Sequence, residues 1–222
     1  MTLTARTQLR RIPERGSREM ANVWDILAEG SIAAVGFSID GQPFVIPMLY
    51  GSDRELIYLH GSAASRLMRQ LETGLAACLT VTLIDGIVMA RSAFNHSMNY
   101  RSVVAFGTAK KITDAAQKES ALRTISEHVA PGRWAEVRCP SQKELKATTV
   151  LAFYVEEASA KVRTGPPSDD DADYALNIWA GVLPLHITAG DPIADPKLRD
   201  AIELPQSIRN FETRQLKPRS KS

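Results

Sequence analysis

Two aspartate-glycine dipeptides, Asp40-Gly41 and Asp85-Gly86, constrain the fold of this chain more than any other short feature of its sequence. Each stands between two apolar segments, which together cover residues 32–38, 43–50, 76–84 and 87–94. Asp-Gly at such a position is a strong signal for a two-residue hairpin turn, because the central residues of that turn need positive φ. We therefore expect two antiparallel hairpins, one centred on each dipeptide.

The second apolar segment, residues 43–50, contains Pro43 and Pro47. A proline has no N–H to give to a sheet, so Pro47 indicates that this strand lies at a sheet edge or is bulged there. Backbone groups close to Pro47 would then be free to bind a ligand. Taken alone, the proline is more simply explained by a plain edge strand.

A second candidate site lies where the apolar strand 56–60 runs into a helix at Gly61 and Ser62. We expect Ser62 to be the helix N-cap, and the unpaired N–H groups and partial positive charge of a helix start attract phosphate. Ser65 and Arg66 follow within two turns and could add a hydroxyl and a charge. An ordinary capped helix with exposed arginines is the alternative.

A third candidate is the segment 91–109, in which a polar stretch joins two apolar ones. Its second strand opens with Tyr100, Arg101 and Ser102, which would place a cation and hydroxyls at the mouth of a buried sheet. An anionic ligand and a surface hairpin with a satisfied arginine explain these residues equally well. His60 and His96 adjoin the candidate turns, although His96 is more simply explained by a bond to a turn carbonyl.

The rest of the chain predicts three helices, one more strand and a loop. Apolar residues at helical spacing predict helices over residues 18–29 and 113–130, and a capping box starts a short helix at Ser141. Residues 148–157 form the last clear strand, and the acidic run 168–173 is typical of a mobile loop.

These elements indicate one main domain. About seven strands in antiparallel hairpins favour a mainly β fold, a small antiparallel barrel with peripheral helices, over a doubly wound sheet. We expect this domain to cover residues 1–190 and a partly irregular C-terminal extension to cover residues 191–222.

Composition argues against several classes of function. The formal charge is only +2, with basic residues concentrated near the two ends, so no large nucleic-acid surface is expected. Cys78 and Cys139 support neither a disulfide framework nor a zinc site, and the scattered histidines predict no dedicated metal site. No apolar run reaches the ~20 residues of a membrane helix. The N-terminus is also too polar for a signal peptide, so we expect a cytoplasmic protein.

Sequence motifs of hydrolases, P-loop proteins and Rossmann domains are missing as well. A chain poor in acid, base and nucleophile constellations is expected when a bound cofactor carries the chemistry. An edge strand at Pro47, a helix start at Ser62 and a cation at Arg101 suit a flat, phosphorylated cofactor with polar edges.

Four segments, residues 44–50, 58–66, 97–107 and 179–181, resemble a known family in their order and spacing. The chain is similar to the FMN-binding split-barrel proteins of the pyridoxamine 5'-phosphate oxidase superfamily, and most to their flavin-nucleotide-binding, nitroimidazole-resistance-like branch. The most specific match is the run Asn-Tyr-Arg-Ser-Val that begins at Asn99.

The resemblance implies a split β-barrel that forms a homodimer, with FMN at each end of the interface. The strand around Pro47 would bond the isoalloxazine edge, the segment around Ser65 would bind the phosphate, and Trp179 would come from the partner chain. The strand around Arg101 would reach the phosphate and ribityl groups. The residues expected to bind the cofactor are Ile46, Pro47, Met48, His60, Ser62, Ser65, Arg66, Tyr100, Arg101, Ser102 and Trp179.

The leading hypothesis for function is an FMN-dependent oxidoreductase that passes hydride or electrons between a donor and a small planar acceptor. The alternatives are a flavin- or haem-binding carrier or sensor without turnover, and a barrel that has lost its ligand and mediates dimeric interactions. Vitamin B6 oxidation is in doubt, because the Arg-x-His pairing that holds that substrate in the family is missing and Pro184 stands two residues before His186.

Overall fold

The computed structural model describes residues 5–7, 15–17 and 19–215. The expected helix over 18–29 is confirmed from Met20, whereas Arg18 and most of the basic residues near the two ends lie outside the described residues. The described strands are β1 (Gly16–Ser17), β2 (Ile32–Ile39), β3 (Gln42–Ser52), β4 (Ile57–Ser62), β5 (Ala77–Met89), β6 (Ser97–Lys111), β7 (Thr148–Arg163) and β8 (Gly181–Pro184). The helices are α1 (Met20–Glu29), α2 (Arg66–Leu71), α3 (Ala115–Val129), α4 (Gln142–Ala147) and α5 (Gln206–Gln215).

The strands form an antiparallel sheet that closes on itself. Its order is β1-β7-β4-β3-β2-β5-β6, and β6 pairs back onto β7, which completes a ring. β8 adds to β5 outside this ring. The expectation of an antiparallel split β-barrel with peripheral helices is therefore confirmed.

The barrel interior is filled by apolar side chains, and α1 closes one end. Val23, Trp24, Ile26 and Leu27 of α1 recur at helical spacing and are buried in the same cluster as the inward residues of the strands. Full burial of a valine, isoleucine or leucine side chain stabilises a fold by about 1.5–3 kcal/mol. The Tyr50 hydroxyl donates a hydrogen bond of 2.6 Å to the Leu27 carbonyl, which ties α1 to β3.

The hairpin predicted at Asp40-Gly41 is confirmed. Asp40 has φ 50° and Gly41 has φ 80°, and Ile39 pairs with Gln42 directly across the turn. Two positive φ values are the mark of a type I′ turn, whose twist matches the strands that it joins.

The second predicted hairpin, at Asp85-Gly86, is wrong. β5 runs straight through both residues with a bulge between Ile84 and Gly86, and the connection to β6 instead follows Met89. Gly86 is needed there because a Cβ would lie 3.0 Å from the Leu183 carbonyl oxygen of β8. Asp85 and Gly86 thus form a bulge within β5 and allow β8 to approach closely, and they do not form a turn.

Three features around the barrel are fixed by hydrogen bonds to side-chain oxygens. Asp114 caps α3 and Ser141 forms a capping box with Glu144, as predicted. The acidic run is fixed at Asp169, whose buried carboxylate accepts hydrogen bonds of 3.0 and 3.1 Å from the Arg91 backbone N–H. The C-terminal extension contains α5, and the Ser207 N–H donates 3.0 Å to Glu136. No helix in the described part of the chain is long and apolar enough to span a membrane.

Candidate functional site

One edge of β3 is open over most of its length. β2 pairs with β3 from Gln42 to Leu49, but β4 pairs with it only from Tyr50 to Ser52. No other strand of the described chain pairs with β3. The sequence prediction that Pro47 marks an edge strand is therefore confirmed.

The type I′ turn determines which backbone groups face this open edge. Ile39 and Gln42 flank a two-residue turn and form a hydrogen-bonded pair, so the bonded positions of β3 alternate from Gln42 onward. Pro43 and Pro47 both occupy non-hydrogen-bonded positions, whose backbone N and C=O groups point away from β2. Their missing N–H groups therefore cost the sheet nothing.

The same alternation locates the free hydrogen-bonding groups. Val45 and Leu49 direct their N–H and C=O groups to the open edge, and Pro47 directs its C=O there. The backbone groups of Ile46 and Met48 face β2, and the side chains of both residues pack against the core cluster. Of the three residues expected along the cofactor, Pro47 is thus the one with a backbone group at the open edge.

The turn between β4 and α2 approaches this edge. The Arg66 guanidinium lies 4.8 Å from the centroid of the Phe44 ring, in a cation–π contact. Because Phe44 precedes Val45 in β3, the contact brings an exposed cation to the start of the open edge. Phe44 was not among the expected site residues, although it stands in the same apolar segment.

The N-cap of α2 is Ser65, and the prediction that Ser62 caps this helix is wrong. Ser62 ends β4, and its side chain accepts 3.2 Å from the Ala64 N–H within the turn. Ser65 makes no side-chain capping bond, so its hydroxyl is not committed to the helix. The first N–H groups of α2 begin at Arg66 and have no intrahelical acceptor, as at any helix start.

Arg101 occupies a different environment from the one expected. It has the same strand parity as the buried Val103 and therefore points into the barrel, whereas Tyr100 and Ser102 face outward. Its guanidinium donates to Asp85 at 3.0 and 2.7 Å and forms a bidentate pair with Glu29 at the end of α1. Hydrogen bonds to these two carboxylates raise the Arg101 pKa.

The structure does not bring Arg101 and Ser62 together within one chain. On the shared neighbour β7, Ser62 lies opposite Thr148 and Arg101 lies opposite Val162, at the two ends of the strand. The expected convergence of the helix start and this guanidinium on one phosphate is therefore corrected for the single chain. Arg101 instead connects β6, β5 and α1.

The outer face beside the open edge is lined with small and apolar residues. Pro47, Ala34, Thr80 and Val104 lie opposite one another across four strands. Ser102 belongs to this face, and its hydroxyl donates 3.5 Å to the Lys161 carbonyl of β7. A flat surface of short side chains can be approached closely by another molecule.

His60 and Trp179 contribute in different ways. His60 lies on β4, and its Nδ1 is buried without a hydrogen-bond partner; burial lowers its pKa. Trp179 is 70% exposed, and its indole covers Gly181 at the start of β8. The structure places Trp179 on an outer edge of the sheet, near the β5–β6 connection, where another chain could reach it.

The sequence model of the pyridoxamine 5'-phosphate oxidase family matches residues 19–162. The chain belongs to this family. No curated protein matches the chain significantly.

Two solved structures of the family are similar over nearly the whole chain. The flavocytochrome Anf3 from Azotobacter vinelandii is 40% identical, with a TM-score of 0.88, and the match covers 94% of this chain and 97% of that one. The FAD and heme binding protein from Mycobacterium smegmatis is 36% identical, with a TM-score of 0.86, covering 89% and 97%. The nitroimidazole-resistance-like branch is represented by a Bacteroides thetaiotaomicron protein at 22% identity and a TM-score of 0.57, which supports the fold alone.

Proposed function

We propose that this chain is a flavin-binding redox protein that holds its flavin along the open edge of β3. The observation that carries the proposal is the alternation in that strand, which directs the N–H and C=O groups of Val45 and Leu49 and the C=O of Pro47 to an unpaired edge. A ring edge that carries both donors and acceptors, as the isoalloxazine does, is complementary to such a set.

The phosphate end of the flavin is assigned to the start of α2. Arg66 is exposed and contacts Phe44, so it lies beside the open edge, and the Ser65 hydroxyl and the first helix N–H groups are next to it. A guanidinium and backbone donors together form the charge-assisted hydrogen bonds that phosphate oxygens accept. Arg101 is left out of the single-chain site, because Asp85 and Glu29 already neutralise it.

The working unit is proposed to be a homodimer. The outer face that runs from Pro47 to Val104 is small and apolar, and it lies directly beside the open edge. A second copy packed on this face would shield the flavin from water and could add the outward Tyr100 and Ser102. FMN is the flavin that the family resemblance implies; FAD, which the Mycobacterium smegmatis protein is named as binding, is the alternative.

A visible spectrum and a mutational comparison test the proposal. The purified protein should bind FMN or FAD with quenched flavin fluorescence, and heat release followed by chromatography identifies which one copurifies. Arg66→Ala should weaken binding by about ten- to a hundredfold, since a hydrogen bond to a charged group contributes about 1.5–3 kcal/mol. Arg123→Ala, at an exposed arginine on α3, is the matched control and should leave the affinity unchanged.

Two results would contradict the proposal. A protein that takes up neither flavin has no flavin site, and equal affinity in the Arg66 and Arg123 variants removes the phosphate assignment. Reduction of the bound flavin by a panel of donors, followed at its visible absorption band, then tests the oxidoreductase activity.

Haem binding is a second candidate function. Two relatives above 35% identity are named as a flavocytochrome and as an FAD and heme binding protein, and both match this chain over at least 89% of its length. This supports a chain that binds haem in addition to flavin, acting as an electron carrier, a sensor or an oxidoreductase.

A further inference from the structure

We infer that His96 is an axial ligand of haem iron, on an apolar surface at the tip of the β5–β6 hairpin. The inference rests on the proposed haem-binding function and specifies the residue and the surface. It is carried by the orientation of the His96 ring and by the side chains around it.

His96 has the hydrogen bonding of a metal-ligating histidine. It follows a short 3₁₀ turn over Ala93–Asn95, and its Nδ1 lies 3.1 Å from the Ala93 carbonyl oxygen. A carbonyl can only accept, so in the neutral imidazole Nδ1 is the donor of this hydrogen bond and the lone pair is on Nε2. Ligating histidines usually donate their other ring N–H to a carbonyl or carboxylate in this way, which fixes the ring. His96 is exposed, and its Nε2 has no partner in the described part of the chain.

The strand register places His96 next to an apolar row. Val88 pairs with Ser97 of β6 and Met89 pairs with Gly181 of β8, so Met89 is the next residue along β5 toward His96. The indole of Trp179 covers Gly181, 3.0 Å from the position that a Cβ would take, and therefore lies on the same face as Met89. Met89 and Trp179 thus share one side of the sheet, and His96 comes directly before the β6 residue that pairs with Val88, the neighbour of Met89.

A second apolar row continues the surface. Leu183, Ile87 and Met98 lie opposite one another across β8, β5 and β6, and a single residue, Ser97, separates Met98 from His96. Phe94, 91% exposed, projects from the 3₁₀ turn before the histidine. The exposed large side chains of this tip surface are Met89, Phe94, Met98, Trp179 and Leu183.

This combination favours a porphyrin over a protein partner. A patch of exposed large apolar side chains indicates a binding surface of some kind. A protein interface has no need of a histidine whose ring is fixed by a backbone carbonyl and leaves its second nitrogen available, whereas haem iron needs such a nitrogen beside an apolar surface. Methionine and tryptophan also pack well against a flat aromatic macrocycle.

The other described histidines fit this role less well. His128 is committed to the fold, with its Nε2 2.6 Å from the Gly30 carbonyl oxygen and its ring 4.8 Å from that of Tyr50. His60 has a buried Nδ1 without a partner, so it lacks the carbonyl that orients a ligand. His186 is exposed beyond β8, and no carbonyl of the described residues contacts its ring.

Titration with ferric haem b tests the assignment. The full-length, flavin-loaded protein should show a shifted Soret band on binding haem, and His96→Ala should abolish the histidine-ligated spectrum. We expect its haem affinity to fall at least about tenfold, since loss of even a hydrogen-bond partner of a metal ligand costs 10–100-fold. Added imidazole should restore the ligated spectrum, and flavin absorbance should be unaffected. His186→Ala is the matched control, because His186 is also exposed and lies two residues after the end of β8.

Each outcome decides a separate question. Flavin uptake without any haem binding overturns this inference and leaves the flavin proposal intact. Haem binding with the same spectrum in His96→Ala also overturns it, and His60→Ala then tests the remaining candidate. Failure to bind flavin in the unmodified protein contradicts the proposed function itself.

Discussion

Replacement of Arg101 by methionine should destabilise the fold without weakening flavin binding. Methionine keeps most of the aliphatic length of the side chain but removes the guanidinium that joins β6, β5 and α1. Asp85 would then lose both hydrogen bonds that it accepts from Arg101, and Glu29 would lose its bidentate pair with the guanidinium.

The expected loss follows from the burial of the three side chains. Arg101 is 20% exposed, Asp85 33% and Glu29 34%. The burial of this cluster is therefore intermediate between that of a surface ion pair and that of a buried one. Surface pairs contribute less than about 1 kcal/mol, and breaking a buried pair costs about 3–5 kcal/mol. We expect a loss of about 2 kcal/mol in the free energy of unfolding, or about 4–8 °C in Tm for a chain of this size.

Urea unfolding, thermal melting and flavin titration of the same preparations measure both effects. The triple variant Arg101→Met, Glu29→Gln, Asp85→Asn should be more stable than the single variant, because it removes the repulsion between the two carboxylates. A variant that keeps its stability but loses flavin affinity tenfold would refute the reasoning, since it would make Arg101 a cofactor ligand in the assembled dimer.

Two further predictions concern the barrel wall. Gly107→Ala should cost at least about 3 kcal/mol, because the new Cβ would lie 1.9 Å from the Tyr154 carbonyl oxygen, whereas Gly190→Ala, with open space around it, should change stability by less than about 0.5 kcal/mol in the same urea assay. Burial lowers the pKa of His60, so the unfolded chain binds more protons and stability should fall as the pH drops through about 6.5. His60→Gln should lose that part of the decline, and an unchanged pH profile of unfolding would contradict the assignment.

The sequence predicted the fold well where a local rule was sufficient. Asp40-Gly41 formed the expected type I′ turn, and Pro47 marked the open edge, because each depends on backbone chemistry within a few residues.

Predictions failed where a distant partner decides the structure. Asp85-Gly86 has the composition of a turn, but pairing of β5 with β8, about a hundred residues later, holds it in a continuous strand. The wrong turn also hid the tip surface. With a turn at Asp85-Gly86, residues 87–94 were expected to form a new strand that returns along 76–84, whereas they continue β5 and lead to the tip. Arg101 was expected at a ligand because no sequence rule places Glu29 beside it.

The two prolines of β3 have one more consequence. An unpaired strand edge is normally a template for edge-to-edge aggregation. Here the prolines occupy two of the four positions, Pro43, Val45, Pro47 and Leu49, whose amides would face an incoming strand. A foreign chain could find only every second donor that a continuous ladder requires. The barrel can therefore keep this edge accessible to a small molecule while it discourages polymerisation through the same edge.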